Sequence, residues 1–330
     1  MMRWLCIVAT GASLVSCAST PSGPPDWVSG RSAAYPDSRY LVGRGEADTQ
    51  EDARNRARAD LAKAFEVEVS AKSSDSTRFN SGPEGAKTQS EISRSVETYT
   101  DRIVRGVQMA EGWQDPRTGS HYVLAVVSRP QAAAALRAEI ARLDAATRGY
   151  IGQARGAGDL LAQIASASRA VDSQRERDAL QRTLEVVDLG GHGVTPEFNS
   201  GELAADLAAL LKRVHMKPQA SSSPQLERML SAALSASGFV PEAGDAAPYV
   251  LNSSLALDDL GPIDGWYWMR GRLEVQLTET ASGKVRGSRR WEIKASSLQM
   301  PTAQRRAYDE VDATLKRELR SAIIGFATGN

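Results

Sequence analysis

The chain has few of the residues on which common catalytic and metal sites depend. Its 330 residues contain two cysteines and three histidines. The 40 basic and 40 acidic side chains balance to a formal net charge of zero, so the long-range positive field that general nucleic-acid binding uses is absent. No apolar run reaches the roughly 18 residues of a membrane-spanning helix. We therefore expect neither a multi-pass membrane protein nor a nucleic-acid-binding protein.

Motifs of the commonest enzyme classes are also missing. The three histidines lie far apart in the sequence, at His121, His192 and His215. They form no HExxH or HxxxH pair, and no GxSxG, SxxK or Walker-type loop occurs. We expect no metal, no cofactor and no catalysis. One enzymatic alternative stays open: a glycan-directed enzyme whose acid/base pair would come from Asp258, Asp259 and Asp264, against the simpler interpretation of a solvated turn.

The first 17 residues have the pattern of a lipoprotein signal peptide. Arg3 makes the start positive, and residues 4–15 (WLCIVATGASLV) form an apolar segment of the length of a signal-peptide core. The sequence Leu14-Val15-Ser16-Cys17 then resembles the bacterial lipobox. The resemblance implies cleavage after Ser16, diacylglycerol on the Cys17 sulfur and acylation of the new amino terminus. The alternatives are an ordinary secretory signal with an incidental cysteine, or an uncleaved anchor.

Lipidation at Cys17 would decide both the thiol chemistry and the location. Cleavage removes Cys6 and the thioether uses Cys17, so no free thiol or disulfide would remain. Each buried acyl methylene contributes about 0.8 kcal/mol, which makes three chains an effectively permanent anchor. Because Ala18 rather than Asp follows the cysteine, analogy with enterobacterial lipoproteins predicts the outer membrane, with the periplasmic face favoured over the cell surface. Residues 17–25 read as a flexible tether.

Residues 26–130 are predicted to form an α+β domain. Residues 39–47 (RYLVGRGEA) have the pattern of a strand in which Gly43 and Gly45 indicate a close backbone approach. A helix is expected from Thr49 to Phe65, followed by a strand at Val67 and Val69. Residues 91–112 are predicted to be mostly extended. Residues 122–128 (YVLAVVS) read as a strand buried on both faces.

The same segment carries a family resemblance. Asp26-Trp27-Val28, the turn at Tyr35-Pro36, the YLVGRGEA strand, the alanine-rich helix and the FEVEV sequence at residues 65–69 together resemble the LPP20 family of bacterial lipoproteins. The resemblance covers residues 26 to about 130. It implies a helix on a small antiparallel sheet displayed at the cell envelope, and it implies no catalytic residue.

Two further segments complete the predicted organisation. Apolar stripes at helical spacing indicate that residues 131–190 form a helical bridge. Residues 191–330 read as a second α+β domain with two helices, three strands and a final helix. Helix, meander and helix resemble the layout of periplasmic lipoproteins that assist secretion or peptidoglycan synthesis, including activators of penicillin-binding proteins. The expected fold is thus two small antiparallel-sheet domains joined by a helical bridge.

The most informative surface feature is expected on the middle strand of the second domain. Alternation places Met269, Leu273, Val275 and Leu277 on the core face. The other face then carries the Trp/Arg row, which comprises Trp266, Trp268, Arg270 and Arg272. One hypothesis is that this row binds a protein partner or a glycan, because Trp and Arg dominate interface energetics. The favoured interpretation is that the tryptophans pack under the helical bridge or the other domain, while the arginines pair with Glu274 and Glu292.

These observations predict a lipid-anchored envelope protein that acts by binding. The expected role is that of an accessory or scaffold in flagellar, secretion or peptidoglycan assembly, with an envelope protein or peptidoglycan as partner. A glycan-directed enzyme and a passive surface antigen remain the alternatives.

Overall fold

The computed structural model describes residues 23–77, 106–221, 223–244 and 246–328. The chain divides into two compact units, with the boundary at Ala132/Ala133. Cys17, the signal peptide and residues 91–105 of the segment predicted as extended lie outside the described residues. Among the described helices, none is long and apolar enough to span a bilayer.

The first unit is a helix on a three-stranded antiparallel sheet. The strands are β1 (Tyr40–Ala47), β2 (Gln108–Gln114) and β3 (His121–Ser128), in the order β1-β3-β2. A short helix α1 (Asp26–Ser29) precedes them, and the long helix α2 (Gln50–Thr77) follows β1. β3 is central, and its residues from Val123 to Val127 are all buried. The predicted α+β class is confirmed for this unit.

Two glycines allow α2 to lie directly against β1. A Cβ atom on Gly43 would lie 2.4 Å from the carbonyl oxygen of Ala57, and one on Gly45 would lie 2.0 Å from that of Ala53. Both distances are far below a van der Waals contact, and the neighbouring atoms belong to backbone that cannot rotate away. The predicted close approach is therefore a backbone contact between strand and helix.

Helix α2 is longer than the sequence pattern predicted. Thr49 caps it as expected, because its Oγ1 accepts a hydrogen bond of 3.1 Å from the Asp52 amide. The prediction of a strand at Val67 and Val69 is wrong, since both lie within α2. Val69 continues the four-residue spacing of Leu61 and Phe65, and all three are buried. That spacing places Val69 on the helical core face, while Val67 is exposed.

The second unit begins with three helices. These are α3 (Arg129–Gly156), whose residues from Ala133 belong to this unit, α4 (Leu160–Val187) and α5 (Ser200–Leu211). The segment predicted as a bridge, residues 131–190, forms α3 and α4. Leu161, Ile164 and Val171 of α4 belong to the same hydrophobic core as the sheet of this unit. Most of the predicted bridge is thus an integral part of the second unit.

A five-stranded sheet completes the second unit. Its strands are β4 (His215–Ala220), β5 (Val240–Pro241), β6 (Tyr249–Ile263), β7 (Trp266–Glu279) and β8 (Val285–Ser297), in the order β5-β4-β6-β7-β8. Helix α6 (Pro224–Ala236) lies between β4 and β5 in the sequence, and α7 (Met300–Thr328) ends the described chain. The α7 side chains at residues 303, 307, 311, 315, 319 and 323, each four residues from the next, are fully buried.

The sheet differs from the predicted three-stranded meander in two strands. β4 and β5 were not predicted, and both of the pairings that β4 makes, with β5 and with β6, are parallel. β6, β7 and β8 pair antiparallel as predicted. β4 contacts β6 only from Tyr249 to Ser253. The remaining length of β6 therefore extends past β4, with β7 and β8 beside it, as a three-stranded arm.

Candidate functional site

The Trp/Arg row lies on one face of β7, as the alternation predicted. Met269, Leu273, Val275 and Leu277 are buried in the core of the second unit. The intervening side chains of the row, at Trp266, Trp268, Arg270 and Arg272, are all exposed. Two consecutive positions on one strand face are about 6.6 Å apart, so the row extends over roughly 20 Å of the sheet surface.

The two tryptophans are partly exposed. Trp266 retains 42% and Trp268 retains 40% of its accessible surface, whereas Trp291 on the core face of β8 retains 8%. The helices of the predicted bridge therefore do not bury this pair, and packing against the other domain stays a prediction. An indole has a large apolar area, and leaving two of them in water forgoes about 1 kcal/mol or more each.

Further apolar side chains surround the tryptophans. Eight large hydrophobic side chains are exposed in the described part of the chain, and five of them lie at the end of the arm. We name this group the apolar end, and it comprises Leu260, Ile263, Trp266, Trp268 and Leu298. Ile263 lies directly opposite Trp266 across the β6–β7 pair, and Leu298 follows the last residue of β8. Such clustering is typical of an interaction site.

The arginines of the row are bordered by charges that are mostly paired with one another. Arg290 contacts Glu274 at 3.0 Å, and Lys294 contacts Glu292 at 3.0 Å. The hydrogen bond and charge of Lys294, supported by the charges of Arg270 and Arg272, lower the pKa of Glu292. Within the described residues, the side chains of Arg270 and Arg272 themselves have no hydrogen bond or ion pair. Glu274 and Glu292 were predicted to pair with the arginines of the row. They pair with Arg290 and Lys294 instead.

Arg286 lies near the start of β8, where the β7–β8 register shifts between Leu277 and Thr278. Its guanidinium pairs with Asp159 at 2.5 Å. Burial alone would raise the pKa of Asp159, but the hydrogen bond and charge of Arg286 outweigh it and the net pKa is lowered. This pair connects the start of α4 to the sheet.

The three aspartates of the enzymatic alternative lie near the same end of the arm. Asp258 is opposite Arg270 in the β6–β7 pair. The Oδ1 atom of Asp259 accepts a 2.8 Å hydrogen bond from the Gly261 amide in an irregular part of β6. Asp264 occupies the hairpin turn with a φ of 52°. This geometry is that of a strand irregularity followed by a tight turn.

The histidines are not brought together. His121 begins β3, His192 lies between α4 and α5, and His215 begins β4, where its Nδ1 is 3.1 Å from a Glu242 carboxylate oxygen. In the residues that the structure describes, no group of three or more His, Cys, Asp or Glu side chains could hold a metal ion.

Comparison with known proteins gives a family match over the first unit. Residues 25–128 match the family model described as LPP20 lipoprotein. The resemblance seen at residues 26 to about 130 is confirmed by this match. A search of curated proteins gave no match. The chain is thus similar to lipoproteins over its first unit. The match does not indicate a specific function.

Solved structures show weaker similarity. The secreted protein HP1454 from Helicobacter pylori shares 13% identity, with 84% of this chain and 96% of that chain covered and a TM-score of 0.45. A protein from Caulobacter crescentus CB15 described as a candidate lipoprotein shares 16% identity, with 34% of this chain and 88% of that chain covered and a TM-score of 0.25. A minor lipoprotein from Acinetobacter baumannii shares 19% identity, with 33% of this chain and 93% of that chain covered and a TM-score of 0.25. At these TM-scores the similarities carry no argument about the second unit.

Proposed function

We propose that the protein is a lipid-anchored envelope lipoprotein that acts by binding rather than by catalysis. Cys17 would carry the lipid, and the outer membrane, with the protein facing the periplasm, is the proposed location. The LPP20 match over residues 25–128 and the lipobox at residues 14–17 support this proposal. Its role would be that of an accessory or scaffold in flagellar, secretion or peptidoglycan assembly.

The observation that carries the binding function is the apolar end beside Arg270 and Arg272, whose side chains form no hydrogen bond or ion pair with the described residues. Covering an exposed Leu, Ile or Trp side chain contributes about 1.5–3 kcal/mol when burial is complete. Trp and Arg are also enriched among residues whose truncation weakens interfaces most. A surface with Trp266 and Trp268 in its centre and Arg270 and Arg272 at its border has the composition of such an interface.

The aliphatic members favour a protein over a glycan as partner. Sugars stack on indole rings and bond to charged side chains, but Leu260, Ile263 and Leu298 would add little to a sugar-binding face. A protein surface can supply matching apolar side chains and a carboxylate for Arg270 or Arg272. The proposed partner is therefore an envelope protein with an apolar contact surface and acidic groups beside it, and peptidoglycan is the second candidate.

Photocrosslinking in intact cells tests this proposal. A photoreactive phenylalanine derivative replaces Trp268 in one variant, Ile263 in a second and the exposed Ala313 on α7 in a control. We expect the same envelope protein to be captured from positions 268 and 263 but not from 313. Arg270→Glu with Arg272→Glu should reduce this capture at least fivefold. Equal capture from all three positions, or none from the apolar end, would contradict the proposal.

The enzymatic alternative gives a different result. If the loop of Asp258, Asp259 and Asp264 were catalytic, Asp258→Asn with Asp264→Asn would abolish both function in cells and any glycan turnover by the purified protein. On the binding account, function in cells and crosslinking from position 268 stay within about threefold of the unchanged protein. Carboxylate-dependent turnover of a glycan would support the enzyme instead.

A further inference from the structure

A second surface of the molecule, distinct from the apolar end, is a groove between three helices of the second unit. It has a volume of about 830 Å³ and is bordered by the C-terminal half of α3, the N-terminal half of α4 and by α5 with the residues before it. Two of its boundary elements are held in place by Arg148 of α3, which pairs with both carboxylate oxygens of Glu197. This ion pair therefore connects α3 to the segment before α5 at one end of the groove.

Between its charged rims the groove has an apolar strip made of alanine, leucine and isoleucine side chains. Ala167 and Ala170 of α4 contribute to its floor. Ile151 of α3 and Leu203 and Leu210 of α5 line it while remaining partly exposed. Leu203 and Leu210 are seven residues apart, which places them on one helical face two turns from each other. Small floor residues allow another backbone to approach closely.

The two rims differ in the sign of their net charge. The α3 rim presents Arg155 two turns beyond Arg148. The α5 rim presents Glu202 and Asp206 one turn apart, with a single arginine, Arg213, just past the end of the helix. Arg148 is neutralised by Glu197. In the described residues, the side chains of Arg155, Glu202 and Asp206 make no hydrogen bond or ion pair. A ligand that meets both rims would therefore need acidic groups on one side and basic groups on the other.

We propose that this groove binds an amphipathic helix of a protein partner. The apolar face of the helix would pack on Ile151, Leu203 and Leu210, its acidic flank would meet Arg155, and its basic flank would meet Glu202 and Asp206. This inference goes beyond the proposed function, because it uses none of the residues of the apolar end.

Three synthetic amphipathic peptides test the charge requirement on the full-length protein in detergent. All carry the same leucine stripe. One has Glu on one flank and Lys on the other, the second has Glu on both flanks, and the third has Lys on both. We expect the mixed peptide to bind about tenfold more tightly than either of the others, measured by fluorescence anisotropy. A helix that docks in the reverse direction presents its two flanks to the opposite rims. A single mixed peptide therefore suffices, whichever flank carries Glu.

A charge reversal on one rim provides the decisive comparison. Arg155→Glu gives both rims a net negative charge, and the preference should switch to the peptide with Lys on both flanks. Arg305→Glu, which changes an exposed arginine of α7 outside the groove, should leave the mixed peptide preferred. A switch of preference cannot arise from loss of folding, which would weaken all three peptides. Trp266→Ala with Trp268→Ala should leave peptide binding unchanged, which separates this inference from the proposed function.

Three outcomes would overturn the proposal. The first is binding of all three peptides weaker than about 100 μM, and the second is a preference that Arg155→Glu does not alter. The third concerns the occupant. If a photoreactive residue at Leu203, used without added peptide, captures residues 78–105 of the same chain or a second copy of the protein, then the groove is not open to a partner helix.

Discussion

Asp159 and Arg286 are 127 residues apart in the sequence and form an ion pair at the junction of α4 with the sheet. The other carboxylate oxygen of Asp159 lies 3.4 Å from the Tyr249 hydroxyl, which donates to it. Burial, and then the negative charge of Asp159, raise the pKa of Tyr249. The three side chains thus connect the start of one helix to two strands of the same unit.

Removal of the charge on Asp159 should destabilise the second unit at neutral pH. We expect Asp159→Asn to lower the free energy of unfolding by about 1 kcal/mol, since the pair is charge-assisted but partly open to water. Urea unfolding followed by circular dichroism measures this. Glu274→Gln, which breaks an exposed pair with Arg290, should cost less than about 0.5 kcal/mol. Equal costs for the two changes would contradict the structural role of Asp159.

The same pair predicts a pH dependence with a definite sign. The pKa of Asp159 is lowered in the folded chain. Its contribution is therefore present above the ordinary pKa of an aspartate, about 3.9, and is lost as the pH falls through the folded value. The difference in stability between the unchanged protein and Asp159→Asn should shrink when unfolding is measured at successively lower pH from 6 to 3. A difference that grows on acidification would show that the sign is wrong.

Gly45 should tolerate no side chain. The Cβ of an alanine there would lie 2.0 Å from the backbone carbonyl of Ala53, so β1 and α2 would have to separate. We expect Gly45→Ala to destabilise the first unit by about 3 kcal/mol, measured by hydrogen exchange of the β1 and β3 amides. Gly112→Ala is the matched control, since its Cβ would meet its nearest neighbour at 3.8 Å. Similar exchange in both variants would refute the backbone contact.

The tryptophans of the second unit should separate into two classes. Trp266→Ala and Trp268→Ala remove partly exposed rings and should lower the free energy of unfolding by about 1 kcal/mol each. Trp291 is buried, and its Nε1 donates a 2.6 Å hydrogen bond to Glu318. Trp291→Ala should therefore cost about 3–5 kcal/mol. Large destabilisation by the first two substitutions would indicate that they are structural and would remove their assignment to an interface.

Local sequence patterns predicted those structural features that depend on the residues of a single strand or helix. The alternation of β7 predicted which side chains face the core, and the close approach at Gly43 and Gly45 followed from glycines inside a strand. The Val67 and Val69 alternation misled, because a short apolar pair fits a strand as well as a helix. Only the spacing from Leu61 through Phe65 to Val69 distinguishes the two.

Features formed by distant segments could not be predicted from local patterns. The sequence of β4, HMKPQA, has neither alternation nor an apolar run, and its strand conformation comes from its parallel pairing with β6. Leu298 joins the apolar end only because β8 pairs with β7. The Asp159–Arg286 pair and the helical groove likewise depend on contacts between elements far apart in the chain.

The proposed function depends on a lipid on Cys17 that holds the protein at a membrane. Mass spectrometry of the amino-terminal peptide, from protein purified out of its native membrane, tests for this lipid. We predict a peptide that begins at Cys17 and carries the mass of a diacylglycerol and one further acyl chain. A peptide that retains residues 1–16, or one that begins with an unmodified cysteine and comes from the soluble fraction, would contradict it.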